Sequence, residues 1–204
     1  MALTDHNSVK NLPSFFVACE NYGITPIGGM ELTTAEDIHM ICLFPSLENA
    51  MRFGEEVEKR RIKIKNKPEI FGEQLILDEQ DNIIGNEEYL LINATSLSLE
   101  EGYELSRSFG GIAYPAHIDR DANGIIAVLG DFPESPKFTC AELHNIKNEE
   151  EYKKKFPILC NKKIICCSDA HYLDKIPDAK NYFELEDNLS NEEIRKNIIE
   201  FLKD

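Results

Sequence analysis

The sequence lacks any apolar run near the roughly 20 residues of a membrane-spanning helix, and no signal peptide is recognisable at its first residues. Its six cysteines include no C-x-x-C pair, and four of them lie in or beside apolar runs, where free cysteine behaves as a small hydrophobe. We therefore expect a reducing, cytoplasmic setting without a disulfide framework and without a membrane partner.

Basic residues are scarce, with 22 lysines and arginines against 37 acidic residues and a net charge of −15. Such a surface repels a nucleic-acid backbone unless a local patch or bound metal ions reverse the field. The run Lys59–Lys67 is the one basic cluster. It either guides a polyanion or, as we favour, is a solvated helix end whose cations interact well with the helix dipole before Pro68. We therefore keep nucleic acid as an alternative partner, which the net charge of the chain does not favour.

Predicted strands and helices alternate along the chain, which favours one α/β domain over residues 1–204 with a largely parallel sheet, open or closed into a barrel. Polar turn residues predict a hairpin inside an insertion at about 66–95, which either covers a site or decorates the fold. The expected strands are Met1–Thr4, Thr25–Met30, Ile38–Phe44, Gln74–Asp78, Asn82–Gly85, Gly111–Tyr114, Cys140–Leu143, Ile164–Cys167 and Asn181–Leu185. The expected helices are Val9–Tyr22, Leu47–Lys63, Gly124–Leu129 and Glu149–Lys155, with two more that begin at capping boxes of Ser98 and Ser190.

Histidine and acidic side chains fall just past the ends of several predicted strands. In parallel α/β folds that rim is where sites assemble, so residues distant in sequence converge there. Imidazole nitrogens and carboxylate oxygens together bind Zn, Mn, Fe or Ni, and a carboxylate can bridge two ions. The residues concerned are His6, Glu31, His39, His117, Asp169 and His171.

A single histidine after a strand is usually a hydrogen-bonded structural residue, and Glu31 or Asp169 alone is equally typical of a surface acid or a turn. Four such histidines with two acids favour metal binding instead. Metal ions held close together activate water and coordinate the oxygens of a phosphate group. An acidic protein can therefore still bind an anionic substrate through its ions.

The order and context of five motifs resemble the PHP family, named for polymerase and histidinol phosphatase domains. That family has a distorted (β/α)7 TIM-like barrel, binds up to three metal ions and hydrolyses phosphoesters. The resemblance implies a hydrolase that uses Zn, Mn or Fe and acts on a phosphorylated small molecule, a nucleotide or a nucleic-acid end. The motifs are Ala2-Leu3-Thr4-Asp5-His6-Asn7, Ile27-Gly28-Gly29-Met30-Glu31, His39 in its strand, Tyr114-Pro115-Ala116-His117 and Ser168-Asp169-Ala170-His171.

The resemblance implies that Glu31 bridges two ions, and that His39 and His117 complete the ligands of one of them. Asp169 is expected to bind the other bridged ion. The family begins with a strand that carries an H-x-H pair, and no such strand precedes Met1, so we expect a barrel incomplete at the N-terminus. Only the site of Glu31, His39 and His117 then has a full ligand set, and fewer than three ions are expected per chain.

Further residues receive roles from the same resemblance and from their chemistry. His6 and His171 are expected to bind a third ion. Asp5 is expected to support catalysis by orienting its neighbour, and Arg120 to act in catalysis and substrate binding through bidentate contacts to phosphate. His144 ends a predicted strand, where we favour a structural or substrate-binding role over metal ligation.

The function we expect is thus a metal-dependent phosphoesterase in which activated water attacks phosphorus. Two alternatives stay open. One is a non-catalytic, degenerate PHP module that keeps metal for structure or regulation, and the other is a related metal hydrolase that acts on an amide or another non-phosphate bond. An incomplete barrel exposes strand edges and apolar faces, which predicts a homo-oligomer.

Overall fold

The computed structural model describes residues 1–176 and 182–204, which form the mixed α/β structure that the order of strands and helices predicts. The strands are β1 (Ala2–Leu3), β2 (Ile27–Thr33), β3 (His39–Phe44), β4 (Leu75–Leu77), β5 (Ile83–Asn86), β6 (Ile112–Pro115), β7 (Cys140–Glu142) and β8 (Lys163–Ile165). The helices are α1 (Leu12–Asn21), α2 (Leu47–Glu58), α3 (Pro68–Phe71), α4 (Leu99–Ser108), α5 (Ile125–Leu129), α6 (Glu149–Lys155) and α7 (Asn191–Lys203).

The central sheet has the strand order β1-β2-β3-β6, and it is not the largely parallel sheet expected from the sequence. Strand β1 runs parallel to β2, but β3 runs antiparallel to both β2 and β6. The physical reason lies in residues 34–38, which join β2 to β3 and are too few for the crossover of a dozen or more residues that parallel neighbours need. Asp37 closes this turn with a left-handed φ of 65°.

A closed seven-stranded barrel is not formed by residues 1–176 and 182–204. Strand β7 pairs in parallel with β8 as a separate two-stranded sheet, and β4 with β5 as the expected hairpin. The Ile118 amide, beyond the end of β6, donates to the carbonyl of Glu142, the last residue of β7, at 2.8 Å, but no ladder joins these strands. Strand β1 has two residues and β8 has three, so these two edge strands offer few backbone groups for pairing with a further strand.

Several helix boundaries follow the sequence and others do not. Ser98 and Ser190 form complete capping boxes at the starts of α4 and α7, as predicted. Helix α1 begins at Leu12 instead of Val9, because Asn7 takes a left-handed φ of 47° and Pro13 favours the first helical turn. Helix α2 ends at Glu58, five residues before the predicted end. Residues 182–185 are not a strand, and Asn181 lies outside the described residues.

The two faces of the central sheet are covered by different helices. Met30, Met40 and Phe44 point toward α1, α2 and α4 and belong to the larger apolar core. The opposite face packs its apolar side chains against the buried face of α7, from residues Ile27, Ile41, Leu43, Ile112, Tyr114, Ile198, Ile199 and Leu202. Because side chains alternate along a strand, Glu31 lies on the same face as Ile27. The carboxylate is therefore at the end of the face that α7 covers.

In the described part of the chain, every helix is too short or too polar to cross a bilayer.

Replacement of Ile199 by alanine tests the packing of α7 on the sheet. Ile199 is 1% exposed, so Ile199→Ala is expected to lower the free energy of unfolding by about 2–5 kcal/mol through lost transfer energy and a residual cavity. Urea denaturation measures this change. The control Asn197→Ala, at an exposed position of the same helix, is expected to leave the midpoint nearly unchanged. Equal effects of the two variants would show that α7 does not pack as described.

Candidate metal centre

The antiparallel pairing of β2 and β3 brings the first candidate ligands to one edge of the sheet. Thr33 pairs with His39 where β2 ends and β3 begins, so Glu31 and His39 are close on one face. The Ala116 amide donates to the His39 carbonyl at 3.0 Å, which places His117 beside them. His39 thus lies at this edge because it is the first residue of its strand. The sequence predicted instead that the site forms at the C-terminal ends of parallel strands.

The donor atoms of this group converge on a single carboxylate oxygen. Glu31 Oε1 lies 2.8 Å from His39 Nδ1 and 3.2 Å from His117 Nε2, and these two nitrogens are 3.3 Å apart. Donor atoms around a tetrahedral Zn ion, each at about 2.0 Å, lie about 3.3 Å from one another. The three atoms therefore have the spacing of ligands on one ion.

His6 extends the group on the other side of Glu31. Its Nδ1 lies 3.7 Å from Glu31 Oε2, and one donor atom from each of His6, Glu31 and His39 lies within 4.8 Å of the others. The ring centroids of His6 and His39 are 5.0 Å apart. Glu31 thus faces histidine nitrogens with both of its oxygens, an arrangement in which a carboxylate can serve two ions.

Asp169, His171 and Arg120 form a second group across the same cavity. The Asp169 side chain is 9% exposed, and its Oδ2 lies 2.8 Å from Arg120 Nη1 without the alignment of a hydrogen bond. His171 Nδ1 donates to the Asp169 carbonyl at 3.1 Å, which leaves Nε2 as the nitrogen with a free lone pair. The ring centroids of His171 and His6 are 5.9 Å apart, so the two groups adjoin.

Buried polar atoms without partners test whether these residues fit a metal. Three such atoms in the cluster have no hydrogen-bond partner within residues 1–176 and 182–204: His6 Nδ1, His117 Nδ1 and Asp169 Oδ2. Buried polar atoms are rarely left in this state. One donor atom from each of His6, Glu31 and His39 lies within 4.8 Å of the others, so a cation held there would give His6 a partner, and this donor set fits a divalent ion.

The cavity between the two groups has a volume of about 90 Å³. Seven of the nine residues singled out from the sequence line it, together with Ala122 and Asn123: His6, Glu31, His39, His117, Arg120, Asp169 and His171. Their individual roles as ligands or substrate contacts stay predictions.

Asp5 and His144 do not line the cavity. The Asp5 carboxylate accepts a hydrogen bond from Asn11 Nδ2 at 3.0 Å, and its backbone carbonyl accepts from the Glu31 amide at 3.2 Å. Asp5 therefore lies behind the site, as a supporting residue would. His144 is exposed, and its amide donates to the Asp119 carboxylate at 2.6 Å. Its role in substrate binding stays a prediction.

The electrostatics favour an ionised Glu31 beside a neutral His6. Burial alone would raise the pKa of the Glu31 carboxyl, but hydrogen bonds from His117 and His39 and the adjacent His6 hold this pKa well below its usual range. Burial lowers the pKa of His6, against the attraction of Glu31. An ionised carboxylate and a neutral imidazole are the forms of these groups that bind metal.

Sequence reasoning missed three residues near the site. Asn7 and Asn123 both have left-handed φ angles, 47° and 58°, as do His117 at 28° and Asp169 at 46°. Such strained residues cluster at functional sites, but asparagine in a left-handed turn is common, so the sequence carried no distinct signal. Glu142, at the end of β7, is 3% exposed. Burial, reinforced by the charges of Asp169 and Glu31, raises its pKa to about 8.

No known protein-family pattern matches the chain, and no curated protein matches its sequence. Among solved structures, the fold is similar to part of the lesion-specific endonuclease PfuEndoQ from Pyrococcus furiosus, with 18% sequence identity and a TM-score of 0.45. The match covers 73% of this chain and 32% of that protein.

Glu142 makes the stability of the metal-free protein depend on pH. Between the unfolded pKa of 4.5 and the folded value of about 8, the unfolded chain loses the proton while the folded protein keeps it, so stability falls as pH rises. Glu142→Gln does not titrate. With chelator present, its free energy of unfolding relative to the native sequence is expected to rise by several kcal/mol from pH 5 to pH 8. A difference that stays constant over this range would show that Glu142 is ionised at neutral pH.

Proposed function

We propose that the chain is a metal-dependent hydrolase of phosphoesters with a PHP-type site. The observation that supports this proposal most directly is the convergence of Glu31 Oε1, His39 Nδ1 and His117 Nε2 to within 3.3 Å of one another. These residues come from three separate parts of the chain, and the same motifs carry the resemblance to the PHP family. A structural cluster of two histidines and one acid would not require four more site residues around the same cavity.

Glu31, His39 and His117 would hold the first ion, and His6, Asp169 and His171 would add ligands for further ions. Mixed nitrogen and oxygen donors accept Zn, Mn and Fe. A divalent ion in this position would supply Lewis acidity and lower the pKa of a water molecule. The protein itself contributes the buried, ionised Glu31 and holds the three donor atoms of the first site in place before any substrate arrives.

Arg120 is the residue of the cavity best suited to a phosphate group. Its side chain is 39% exposed and, among the described residues, pairs with Asp169 through Nη1, so Nη2 and Nε remain available to a ligand. The planar guanidinium donates two parallel hydrogen bonds to phosphate oxygens. In this proposal Arg120 leaves Asp169 when the phosphate enters and orients that group beside Glu31.

The size and charge of the site favour a small substrate. A cavity of about 90 Å³ admits a terminal phosphate group and leaves the rest of the substrate outside. The basic run is a poor path for a polyanion, because Lys59, Lys63 and Lys65 pair with glutamates at 2.6, 3.5 and 3.2 Å. We therefore propose a phosphorylated small molecule or nucleotide as the substrate class.

Glu31→Gln tests the metal site and the activity together. The variant keeps the shape of the side chain but removes its charge, so metal content and hydrolysis of a chromogenic phosphate ester in Zn, Mn or Fe are both expected to fall. The expected loss exceeds the roughly 10–100-fold that removal of an outer partner causes. Elemental analysis and steady-state rates measure the two quantities.

The control for this test is Glu55→Gln, an exposed position on α2 that is expected to change neither quantity. A native protein that binds no divalent metal would overturn the proposal. Metal binding without turnover of any ester in a panel would overturn the enzymatic part and favour the non-catalytic module. Turnover of amides alone would favour the non-phosphate hydrolase.

Arg120→Gln tests the phosphate contact separately. Loss of a charge-assisted hydrogen-bonded pair is expected to raise KM for the ester, and the inhibition constant for inorganic phosphate, by about 10-fold or more. Metal content is expected to remain. A drop in kcat with unchanged KM and unchanged phosphate inhibition would show that Arg120 does not bind the ground-state phosphate.

A further inference from the structure

Asn7, the neighbour of the candidate ligand His6, has every polar group of its side chain engaged. Its Nδ2 donates to the Leu91 carbonyl at 2.7 Å and to the Asn93 carbonyl at 2.9 Å, and its Oδ1 accepts from the Thr33 amide at 2.9 Å. The residue is 3% exposed. One buried amide therefore joins the loop that carries His6, the end of β2 and the last residues of the insertion at about 66–95.

The backbone of the same loop is bonded to β2 on both sides of His6. The Asn7 amide donates to the Glu31 carbonyl at 3.1 Å, and the Glu31 amide donates to the Asp5 carbonyl at 3.2 Å. His6 and Glu31 thus form a parallel bridge one residue before the Asn7 side chain makes its contacts. A displacement of Asn7 would shift His6 directly against Glu31.

A second asparagine joins the insertion to the same loop. Asn11 Nδ2 donates to Asp5 Oδ2 at 3.0 Å and to the Leu75 carbonyl at 3.3 Å, and its Oδ1 accepts from the Leu77 amide at 3.0 Å. Strand β4 is therefore held against the residues that precede His6. The hairpin contacts the loop of the site from outside the cavity, because none of its residues lines that cavity.

The insertion is in turn fixed to the body of the fold by a buried ion pair. Arg61 Nη1 lies 2.8 Å from Glu87 Oε2, and both side chains are less than a tenth exposed. Arg61 Nη2 also donates to the Tyr89 carbonyl at 2.9 Å. Because the partners of Asn7 are anchored in this way, they provide a rigid support for the loop.

We propose that Asn7 is a positioning residue that uses the insertion as a brace to hold His6 at the metal site. The insertion thereby acts as a part of the site's support and neither covers the cavity nor merely decorates the fold. This inference rests on the proposed function, because it assumes that His6 contributes to metal binding. The left-handed φ of 47° alone does not require asparagine, since glycine adopts it with less strain. The amide contacts are what distinguish the two residues.

Asn7→Gly separates the role of the left-handed backbone from the role of the side-chain amide. It keeps the backbone conformation and removes all three side-chain hydrogen bonds. Asn7→Asp keeps the acceptor for the Thr33 amide and loses the donors to Leu91 and Asn93. The matched control is Asn49→Ala, which removes a comparable hydrogen bond from Asn49 Nδ2 to the Phe109 carbonyl, at 2.8 Å, in a part of the fold that does not line the cavity.

The measurements are the Co²⁺ absorption spectrum, the Zn²⁺ affinity by competition with a chelator, and the urea midpoint of the metal-free protein. We expect Asn7→Gly to weaken Zn²⁺ binding by about 10–100-fold and to alter the Co²⁺ spectrum, as loss of an outer partner does. Asn7→Asp places a carboxylate oxygen against the Leu91 and Asn93 carbonyls, so it is expected to weaken Zn²⁺ binding at least as much as Asn7→Gly. Asn49→Ala is expected to lower the urea midpoint and leave both metal readouts unchanged.

A lower urea midpoint in Asn7→Gly with a native Co²⁺ spectrum and Zn²⁺ affinity would overturn the proposal and make Asn7 a purely structural residue. If Asn7→Gly does not fold, the metal readouts of Asn7→Asp decide in the same way. A native protein that binds neither Co²⁺ nor Zn²⁺ would overturn the proposed function itself, whereas native binding that Asn7 variants retain in full would overturn only the role of Asn7.

Discussion

The buried, ionised carboxylate of Glu31 is the interaction on which the rest of the site depends. A buried charge is costly unless it is paired and hydrogen-bonded, and here His39 and His117 contact one oxygen while His6 approaches the other. The loop that carries His6 is bonded to the backbone of β2 at Glu31, whereas His39 lies on β3 beside β2 and the segment of His117 is bonded to His39. Removal of one partner would leave the charge exposed to a low-dielectric surrounding, so the members of the cluster stabilise one another.

The cluster lies at the polar end of an otherwise apolar sheet face. Helix α7 covers Ile41, Leu43 and Tyr114 on that face, and Glu31 lies just beyond them. The apolar sheet face that α7 covers thus adjoins the carboxylate, and electrostatic interactions in such a buried surrounding are stronger than in water. Glu142 shares this environment, which is why a carboxyl group near two others stays protonated into the neutral range. Glu31 is also buried, but it stays ionised because the imidazoles of His39 and His117 donate hydrogen bonds to it.

Much of the fold and the members of the cavity could be predicted from the sequence, because both depend on local signals. Capping boxes marked the starts of α4 and α7, turn residues marked the hairpin, and strand ends marked most of the histidines. The direction of β3 was not predicted, since it depends on the length of a turn rather than on apolar periodicity. For this reason His39 lies beside Glu31 at the start of an antiparallel strand, whereas the sequence predicted a parallel sheet. Asn7 could not be found because its partners, Leu91 and Asn93, are backbone groups distant in sequence.

The length of the turn of residues 34–38 also determines which side chains of β3 point to each face of the sheet. Side chains alternate between the two faces of a strand, so a shift of the pairing by one residue exchanges the faces throughout. His39 would then point toward the larger core, and Met40 would point toward Glu31. The histidine would be lost from the cluster although every residue of the strand was unchanged. Length changes in this turn are therefore compatible with the cluster only when they preserve the register.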